Sequence, residues 1–267
     1  MLAKRVLAAV DGLSVEDVLC SSPRSSWTTP EPATRHSIVF VRRGCFRRRV
    51  DGVEAFLDPV SIYFEFPGQE HQIAHPYDGG DECTQIVLNE TVIGSVWGSD
   101  ARIPARPVFT SAAADLVHRQ LVSSLRSGDM LELGERVLRL LEAVRECGTR
   151  RRQRGRPTTA AARRRVVDDA REAIAAQPTI GLFELARVVA VSPHHLSRIF
   201  RSETGETISR YRNRARVRLV LERLADRERS LARLAGELGF ADQAHLARVV
   251  RREVGSTPSA LRSSLGI

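Results

Sequence analysis

Hydrophobic and polar positions follow a strand-like spacing in the first third of the chain and a helical spacing in the rest. Between Ser37 and Leu88, short β-branched or aromatic runs are separated by Gly, Pro and Asp at turn positions. The predicted strands are Ser37–Val41, Cys45–Val50, Glu54–Leu57, Ser61–Phe66 and Thr84–Leu88. Strands this short and regular predict a sandwich or a small barrel. Residues 1–30 end in a turn-rich stretch without clear periodicity.

The spacing becomes helical from Ser111 onward. One apolar face runs from Ala114 to Leu125 and a second from Leu131 to Val144, with Ser127-Gly128-Asp129 between them. This pattern predicts two antiparallel helices. Their apolar faces can either cover the barrel or meet a second subunit, and we favour the second because two copies would raise avidity for a shared target.

The last hundred residues contain one pattern twice. Leu182–Thr207 and Leu231–Thr257 carry the same residues at matching positions. The matched pairs are Leu182 and Leu231, Leu185 and Leu234, Ala186 and Ala235, Leu196 and Leu246, Arg198 and Arg248, Arg201 and Arg251, Glu203 and Glu253, Gly205 and Gly255, and Thr207 and Thr257. A duplicated helix-turn-helix pattern predicts two helices that enter two DNA grooves.

Helix-capping residues support both copies. Ser192 is a preferred N-cap and Pro193 suits the first helical position, while Gly205 fits a left-handed C-cap. Asp242 and Gly255 have the same roles in the second copy. A preceding helix over about Arg163–Ala176 is also predicted.

The segment Thr207–Ala225 is predicted to be a helical connector between the copies. It has an apolar stripe, and five arginines, Arg210, Arg212, Arg214, Arg216 and Arg218, fall on its other faces. At about 1.5 Å per residue it spans roughly 28 Å. Recognition helices about 34 Å apart meet successive major-groove turns, so a rigid connector of nearly that length is suitable.

Charge separates the chain into a mildly acidic front and a basic back, within a net charge of +9. We expect a sensor domain at 1–149, an Arg-rich linker at 150–159 and a DNA-binding domain at 160–267. The linker arginines either contact phosphate or form a solvated tether. The apolar run Val6–Val10 is too short for a signal peptide, and no membrane span is expected, so we expect a cytoplasmic protein.

Two stretches carry a family resemblance. SPHHLSRIFRSETG and AGELGFADQAHLARVVRREVGSTPSALR resemble the AraC/XylS family of bacterial transcription regulators, over Arg163 to about Leu265. The resemblance implies that the first recognition helix reads bases with His194, Ser197 and Arg198. It implies that the second does so with Gln243, Ala244, Ala247 and Arg248. Val250 and Leu261 stand where the family usually has Phe and Tyr. This departure bears on how much DNA sequence information the second motif reads.

Three further arginines, Arg201, Arg251 and Arg252, are predicted to contact phosphate, which positions a protein on DNA without specifying sequence. Arginine at 198 and 248 is the stronger candidate for base readout, because a bidentate Arg–guanine pair discriminates by about 1–3 kcal/mol.

The β-rich front resembles the cupin-like barrel that many members of this family carry, so the expected class is α+β multidomain: an N-terminal cupin-like β-barrel with a helical appendage and a C-terminal all-α double helix-turn-helix domain. PGQEH supports this, but His36, His71 and His75 lack the paired cupin motif, so we predict no metal and no cofactor. The cysteines are expected to be free thiols. The arginines between Arg35 and Arg49 either attract an anion or form a charged outer face, which we favour.

The sequence therefore predicts a sequence-specific DNA-binding regulator that responds to a small-molecule effector and is not an enzyme. Double-stranded promoter DNA is the expected partner, with RNA polymerase and a homodimer as further candidates. Two alternatives stay open: a metal-dependent cupin enzyme with an appended DNA-binding domain, and a weakly specific architectural DNA binder. No catalytic constellation is recognised in the sequence.

Overall fold

The structure, a computed structural model, describes residues 2–98, 103–148, 157–225 and 228–264. The chain divides into two compact units, Met1–Thr149 and Arg150–Ile267. Most of the predicted Arg-rich linker, residues 150–156, lies outside the described residues. Its last three positions, 157–159, belong to the first helix of the second unit.

The first unit combines short strands with helices. Its elements are β1 Leu2–Val10, β2 Leu13–Cys20, β3 Glu31–Pro32, β4 His36–Gly44, β5 Phe46–Val50, β6 Val53–Leu57, β7 Ser61–Glu65, β8 Glu70–Ala74, β9 Asp81–Leu88, α1 Glu90–Trp97, β10 Val108–Phe109, α2 Ala112–Arg126 and α3 Leu133–Gly148. The five strands predicted from the sequence are confirmed as β4, β5, β6, β7 and β9.

The strands form two antiparallel sheets that share a core. The larger sheet has the order β1-β2-β9-β4-β7-β10 and the smaller the order β3-β8-β5-β6. Val39 and Tyr63 of the larger sheet pack with Phe46 and Leu57 of the smaller one. Two facing sheets of this kind are a cupin-like arrangement, as expected, although over the described residues they do not close into a barrel.

The hairpin of β1 and β2 was not among the predicted strands. β1 lies at the edge of its sheet and exposes Leu2, Val6 and Val10, while Ala8 is buried beside an irregularity in the β1–β2 register. A strand whose larger apolar side chains face outward does not show the inward-facing alternation that marks a half-buried strand.

Helices α2 and α3 cover the outer face of the larger sheet. Leu121 of α2 and Leu140 of α3 are buried in one cluster with Phe40, Ile62 and Ile86. Of the two alternatives for these helices, the structure therefore supports the covering role, since the leucine-rich faces are used within the unit. The preference for a second-subunit contact stays a prediction, and Leu131 and Leu138 of the second predicted face are exposed.

The described residues of the second unit form helices joined by short turns and loops. Its elements are α4 Pro157–Ala176, α5 Leu182–Val188, α6 Pro193–Thr204, α7 Ile208–Ala225, α8 Leu231–Glu237, α9 Gln243–Val254 and α10 Pro258–Ser264. The pairs α5–α6 and α8–α9 are the two helix-turn-helix motifs, and α7 connects them. None of the described helices has the length and apolar character that crossing a bilayer requires.

The predicted caps are confirmed on both recognition helices, α6 and α9. Ser192 Oγ accepts a hydrogen bond from the His195 amide over 3.2 Å, and Asp242 Oδ1 accepts one from the His245 amide over 2.6 Å. Gly205 and Gly255 end the helices in the left-handed conformation. Because the caps fix where each helix begins, they also fix which side chains face outward.

The connector α7 is a helix as predicted, but three of the five arginines on its other faces are enclosed by neighbouring helices. Arg214, Arg216 and Arg218 are all buried. Arg214 forms a 2.7 Å ion pair with the buried Glu206. α7 packs against α6, α9 and α10, so surrounding helices enclose faces that a single amphipathic stripe would leave open.

Candidate nucleic-acid interface

The first recognition helix, α6, separates a buried face from an outer face. Leu196, Ile199 and Phe200 are almost fully buried. His194 and Arg198 are exposed, and Ser197 is half-buried beside them. The structure thus brings the three predicted base-reading residues of this helix to one side, opposite the core.

His195 holds the side chain of Arg198. The Nη2 atom of Arg198 donates to Nδ1 of His195 over 3.2 Å, and the His195 amide is fixed by the Ser192 cap. The sequence analysis did not include His195 in the predicted site. Its place one turn before Arg198 was the available signal, because residues three apart on a helix are neighbours.

The second recognition helix, α9, has the same division. Leu246, Val249 and Val250 are buried, and Gln243, Ala244 and Arg248 are exposed, with Ala247 half-buried. Val250 is completely buried, so the smaller side chain at this departure from the family pattern still packs in the core.

The three predicted phosphate contacts are exposed but not equivalent. Arg201 and Arg251 occupy matching places in the last turns of α6 and α9. Arg252 lies 3.2 Å from the carboxylate of its neighbour Glu253. Arg252 is therefore already engaged by an acid within its own helix.

Acidic residues on the recognition helices are occupied by arginines. Glu203 of α6 pairs with Arg163 of α4 at 3.3 Å, and the buried Glu253 of α9 also lies 3.9 Å from Arg210. These pairs keep negative charge off the outer surfaces of α6 and α9. A face that presents arginines without opposing carboxylates attracts a phosphate backbone.

A cluster around Arg216 joins the two motifs. Arg216 Nε donates to the Pro178 carbonyl over 3.0 Å, and Nη1 donates to the Gly239 carbonyl over 3.2 Å. Pro178 precedes the first motif and Gly239 lies in the turn of the second. Burial lowers the pKa of Arg216 from its usual value, and the charge of Arg212 lowers it further. The sequence analysis missed this link.

Gly239 is required by the same cluster. Its φ of +70° is in the left-handed region, and a Cβ there would lie 2.4 Å from Cγ2 of Thr179. Arg212 also donates to the Thr179 carbonyl over 3.3 Å. The turn of the second motif is thus held against the segment that enters the first, so α7 acts as more than a spacer.

We had favoured a charged outer face for the arginines between Arg35 and Arg49, but not all of them lie on the outside. Arg48 of β5 is only 5% exposed, and its guanidinium carbon lies 4.8 Å from the centre of the Tyr63 ring in the facing sheet. Its Nε and Nη2 atoms are buried without a hydrogen-bond partner. Arg43 of β4, by contrast, has a side chain that is 54% exposed.

The histidines considered as cupin-type metal ligands lie in different environments. His36 packs edge-on against Phe66, and the His75 ring is hydrogen-bonded to Asp81. All four cysteines are free thiols, as predicted.

Comparison with known proteins places the likeness in the second unit. A family model described as a helix-turn-helix domain matches residues 185–264. The regulatory protein SoxS of Salmonella typhimurium is 35% identical over 81 residues, which are 30% of this chain and 76% of SoxS.

Two further likenesses cover different shares of the proteins they match. An HTH-type transcriptional regulator of Mycobacterium tuberculosis is 32% identical over 81 residues, 30% of this chain, and the chain spans only 31% of that relative's length. A solved structure of a transcriptional regulator with an AraC-type DNA-binding domain, from Chromobacterium violaceum, is 21% identical. It covers 39% of this chain and 96% of its own, with a TM-score of 0.37.

Proposed function

Since this chain belongs to the AraC/XylS family of transcription regulators, we propose that it binds promoter DNA sequence-specifically through α6 and α9 and that a small anionic effector in its first unit controls it. Because the proposed partner is promoter DNA, we expect the protein to act in the cytoplasm. RNA polymerase and a second copy of the chain stay candidate partners, to which no surface is assigned.

One observation carries the DNA-binding proposal: Arg198 and Arg248 occupy equivalent, exposed positions on two recognition helices whose opposite faces are buried. A guanidinium in this place can donate two hydrogen bonds to guanine O6 and N7 in the major groove. Arg201 and Arg251, one turn further on, would contact the phosphates that set the register.

The experiment is selection of bound duplexes from a random pool with the full chain, followed by titration of the selected duplex and a shuffled one. At physiological salt, specific binding should be about a thousandfold or more tighter than non-specific binding. A ratio near one would instead support the alternative of a weakly specific architectural DNA binder. Arg198→Ala should lose preference at one base pair of the selected site, which an architectural binder would not show.

The effector proposal rests on Arg48. A buried guanidinium with two unpartnered nitrogens leaves hydrogen-bond donors unsatisfied, which is costly in a low-dielectric interior. A carboxylate or another oxyanion accepts two parallel hydrogen bonds from such a group. We therefore assign the effector an anionic group that binds Arg48 in the space between the two sheets.

Thermal unfolding of the first unit tests this assignment, followed by the fluorescence of Trp27 and Trp97, the chain's two tryptophans. Acetate should raise the midpoint saturably at constant ionic strength, whereas acetamide, its uncharged analogue, should not. Arg48→Gln should abolish the acetate effect, and the exposed Arg43→Gln should keep it. The same acetate response in Arg48→Gln would remove the proposal.

The competing enzyme hypothesis has less support, because His36, His71 and His75 lack the paired histidine motif of metal-binding cupins. Analysis of the purified protein for catalytic turnover of small carboxylates would favour an enzyme only if turnover depended on Arg48 and a bound metal together.

A further inference from the structure

A compact cluster of possible metal ligands lies in the first unit. The sulfur of Cys20, a ring nitrogen of His75 and a carboxylate oxygen of Asp81 all lie within 4.8 Å of one another. His75 and Asp81 are buried, and Cys20 is half-buried. Among the described residues, it is the one group of three His, Cys, Asp or Glu side chains that lie close enough together to hold a metal ion.

The sheet brings these residues together from three segments. Cys20 ends β2, Asp81 begins β9, and the two are register partners on neighbouring antiparallel strands. His75 directly follows β8. Nothing in the local sequence pairs Cys20 with His75, so the cluster exists only because of the strand pairing.

Two glycines hold the loop between His75 and Asp81 tightly against the neighbouring strands. A Cβ at Gly80 would lie 1.7 Å from the carbonyl oxygen of Cys20, and one at Gly44 would lie 2.2 Å from the carbonyl oxygen of Gly80. Both glycines have a positive φ. No other residue permits this approach without a backbone shift, so the backbone positions the cluster.

Neighbouring groups orient the two buried ligands. Nε2 of His75 lies 2.7 Å from Oδ1 of Asp81, and its Nδ1 lies 3.5 Å from Oγ of Ser25. The other carboxylate oxygen of Asp81 accepts a hydrogen bond from the Cys83 thiol over 3.2 Å. Metal-binding histidines and carboxylates have such outer partners, which fix the ring and the carboxylate.

We propose that Cys20, His75 and Asp81 bind one zinc ion. A thiolate, an imidazole and a carboxylate form the mixed S, N and O donor set that zinc accepts, whereas calcium and magnesium prefer oxygen alone. Bond lengths of about 2.0–2.3 Å place tetrahedral donors roughly 3.3–3.8 Å apart. Donor atoms up to 4.8 Å apart must therefore approach by about 1.5 Å at most, and Nε2 of His75 and Oδ1 of Asp81, now 2.7 Å apart, must separate slightly.

Metal binding rearranges protons in a defined way. Zinc binding would release the Cys20 thiol proton to solvent. The hydrogen between Nε2 of His75 and Asp81 would leave that position, so that Nδ1, beside Oγ of Ser25, carries the single proton of the neutral imidazole and Nε2 is free to bind. The His75–Asp81 hydrogen bond opens so that both atoms face the ion, while the Cys83 thiol continues to donate to the outer oxygen of Asp81. The fourth position is left to water. The ion would cross-link β2, β9 and the loop after β8, and so stabilise the first unit.

The test is titration of the metal-free full chain with Co²⁺, under a reductant that does not bind metal. We expect one equivalent to produce a near-ultraviolet sulfur-to-cobalt charge-transfer band, and Zn²⁺ to displace it. Cys20→Ser should abolish the band and weaken zinc binding at least about a hundredfold, since even an outer partner costs 10–100-fold. Cys45→Ser, at a half-buried cysteine elsewhere in the unit, should keep both.

Two results would overturn the proposal: no saturable one-equivalent cobalt band in the unmodified chain, or a band that Cys20→Ser retains. Competition with a chromophoric chelator measures the zinc affinity of the unmodified chain directly, so the outcome does not depend on any variant folding. DNA binding by the second unit is measured separately, and its failure would leave this result unaffected.

Discussion

The guanidinium of Arg216 donates a hydrogen bond from Nη1 to the carbonyl oxygen of Gly239 over 3.2 Å. Its Nε atom donates to the carbonyl of Pro178 at the same time. One side chain of the connector thus bonds to the entry of the first motif and to the turn of the second. We conclude that α7 fixes the two recognition helices relative to each other as well as separating them.

Arg216→Met should weaken this coupling more than it weakens either motif. It removes hydrogen bonds from a charged donor, which should cost about 2 kcal/mol of stability. Affinity for a duplex that holds both half-sites should fall at least about tenfold, while binding to a single half-site changes little. Fluorescence anisotropy with the two duplexes measures the difference.

Arg223→Met is the matched control for Arg216→Met. Arg223 lies on the same helix, is 47% exposed and approaches Glu237 only to 3.9 Å. It should leave both affinities unchanged. Equal losses on the two duplexes in Arg216→Met would show that the residue does not act through the coupling of the motifs.

Gly239→Ala should destabilise the second unit. The left-handed backbone disfavours a side chain, and the added Cβ would overlap the Thr179 methyl group. We expect a loss of about 1–3 kcal/mol, measured by urea denaturation followed by circular dichroism at the helical minimum. Gly236→Ala is the control, because a Cβ at Gly236 meets nothing within 4 Å. The overlap explanation fails if Gly236→Ala costs as much.

Arg198→Ala and Arg251→Ala should fail in different ways. Losing Arg198 should relax specificity at one base pair, by about 1–3 kcal/mol of discrimination. Losing Arg251 should weaken all duplexes alike and reduce the dependence of the binding constant on salt by about one ion. Titrations of a set of operator variants at several salt concentrations separate the two, and identical behaviour would contradict the assigned roles.

Asp17 should make the first unit sensitive to acid. It pairs with Arg5 and Arg126 at 3.2 Å each and also with Arg42. Burial raises the pKa of Asp17, but the charges and hydrogen bonds of Arg42 and Arg126 outweigh it and hold the pKa below the usual 3.8. Because the folded pKa is depressed, the stabilisation is present above about pH 4 and is lost as the pH falls further.

Asp17→Asn should therefore destabilise the first unit at pH 7 by about 1–3 kcal/mol and flatten its loss of stability below pH 4. Urea unfolding followed by tryptophan fluorescence at both pH values measures this, since Trp27 and Trp97 lie in this unit. The exposed Glu142→Gln should match the unmodified chain. A variant that keeps the full acid dependence would remove Asp17 as its source.

Local patterns allowed much of this protein to be predicted. The duplicated motifs, the caps at Ser192 and Asp242 and the outward place of Arg198 and Arg248 follow from helical spacing and turn chemistry, which act over a few residues. The strands from Ser37 to Leu88 follow from alternation for the same reason. The edge strand β1 was missed because its larger apolar side chains face outward.

Only the tertiary structure decided which charged residues are inside. Nothing in the local sequence distinguishes Arg216 and Arg48 from the exposed arginines, yet each is enclosed by elements distant in sequence. The gathering of Cys20, His75 and Asp81 likewise depends on the pairing of β2 with β9. The sequence determines periodicity and helix ends, because those are local; burial and convergence depend on long-range packing, which no local pattern contains.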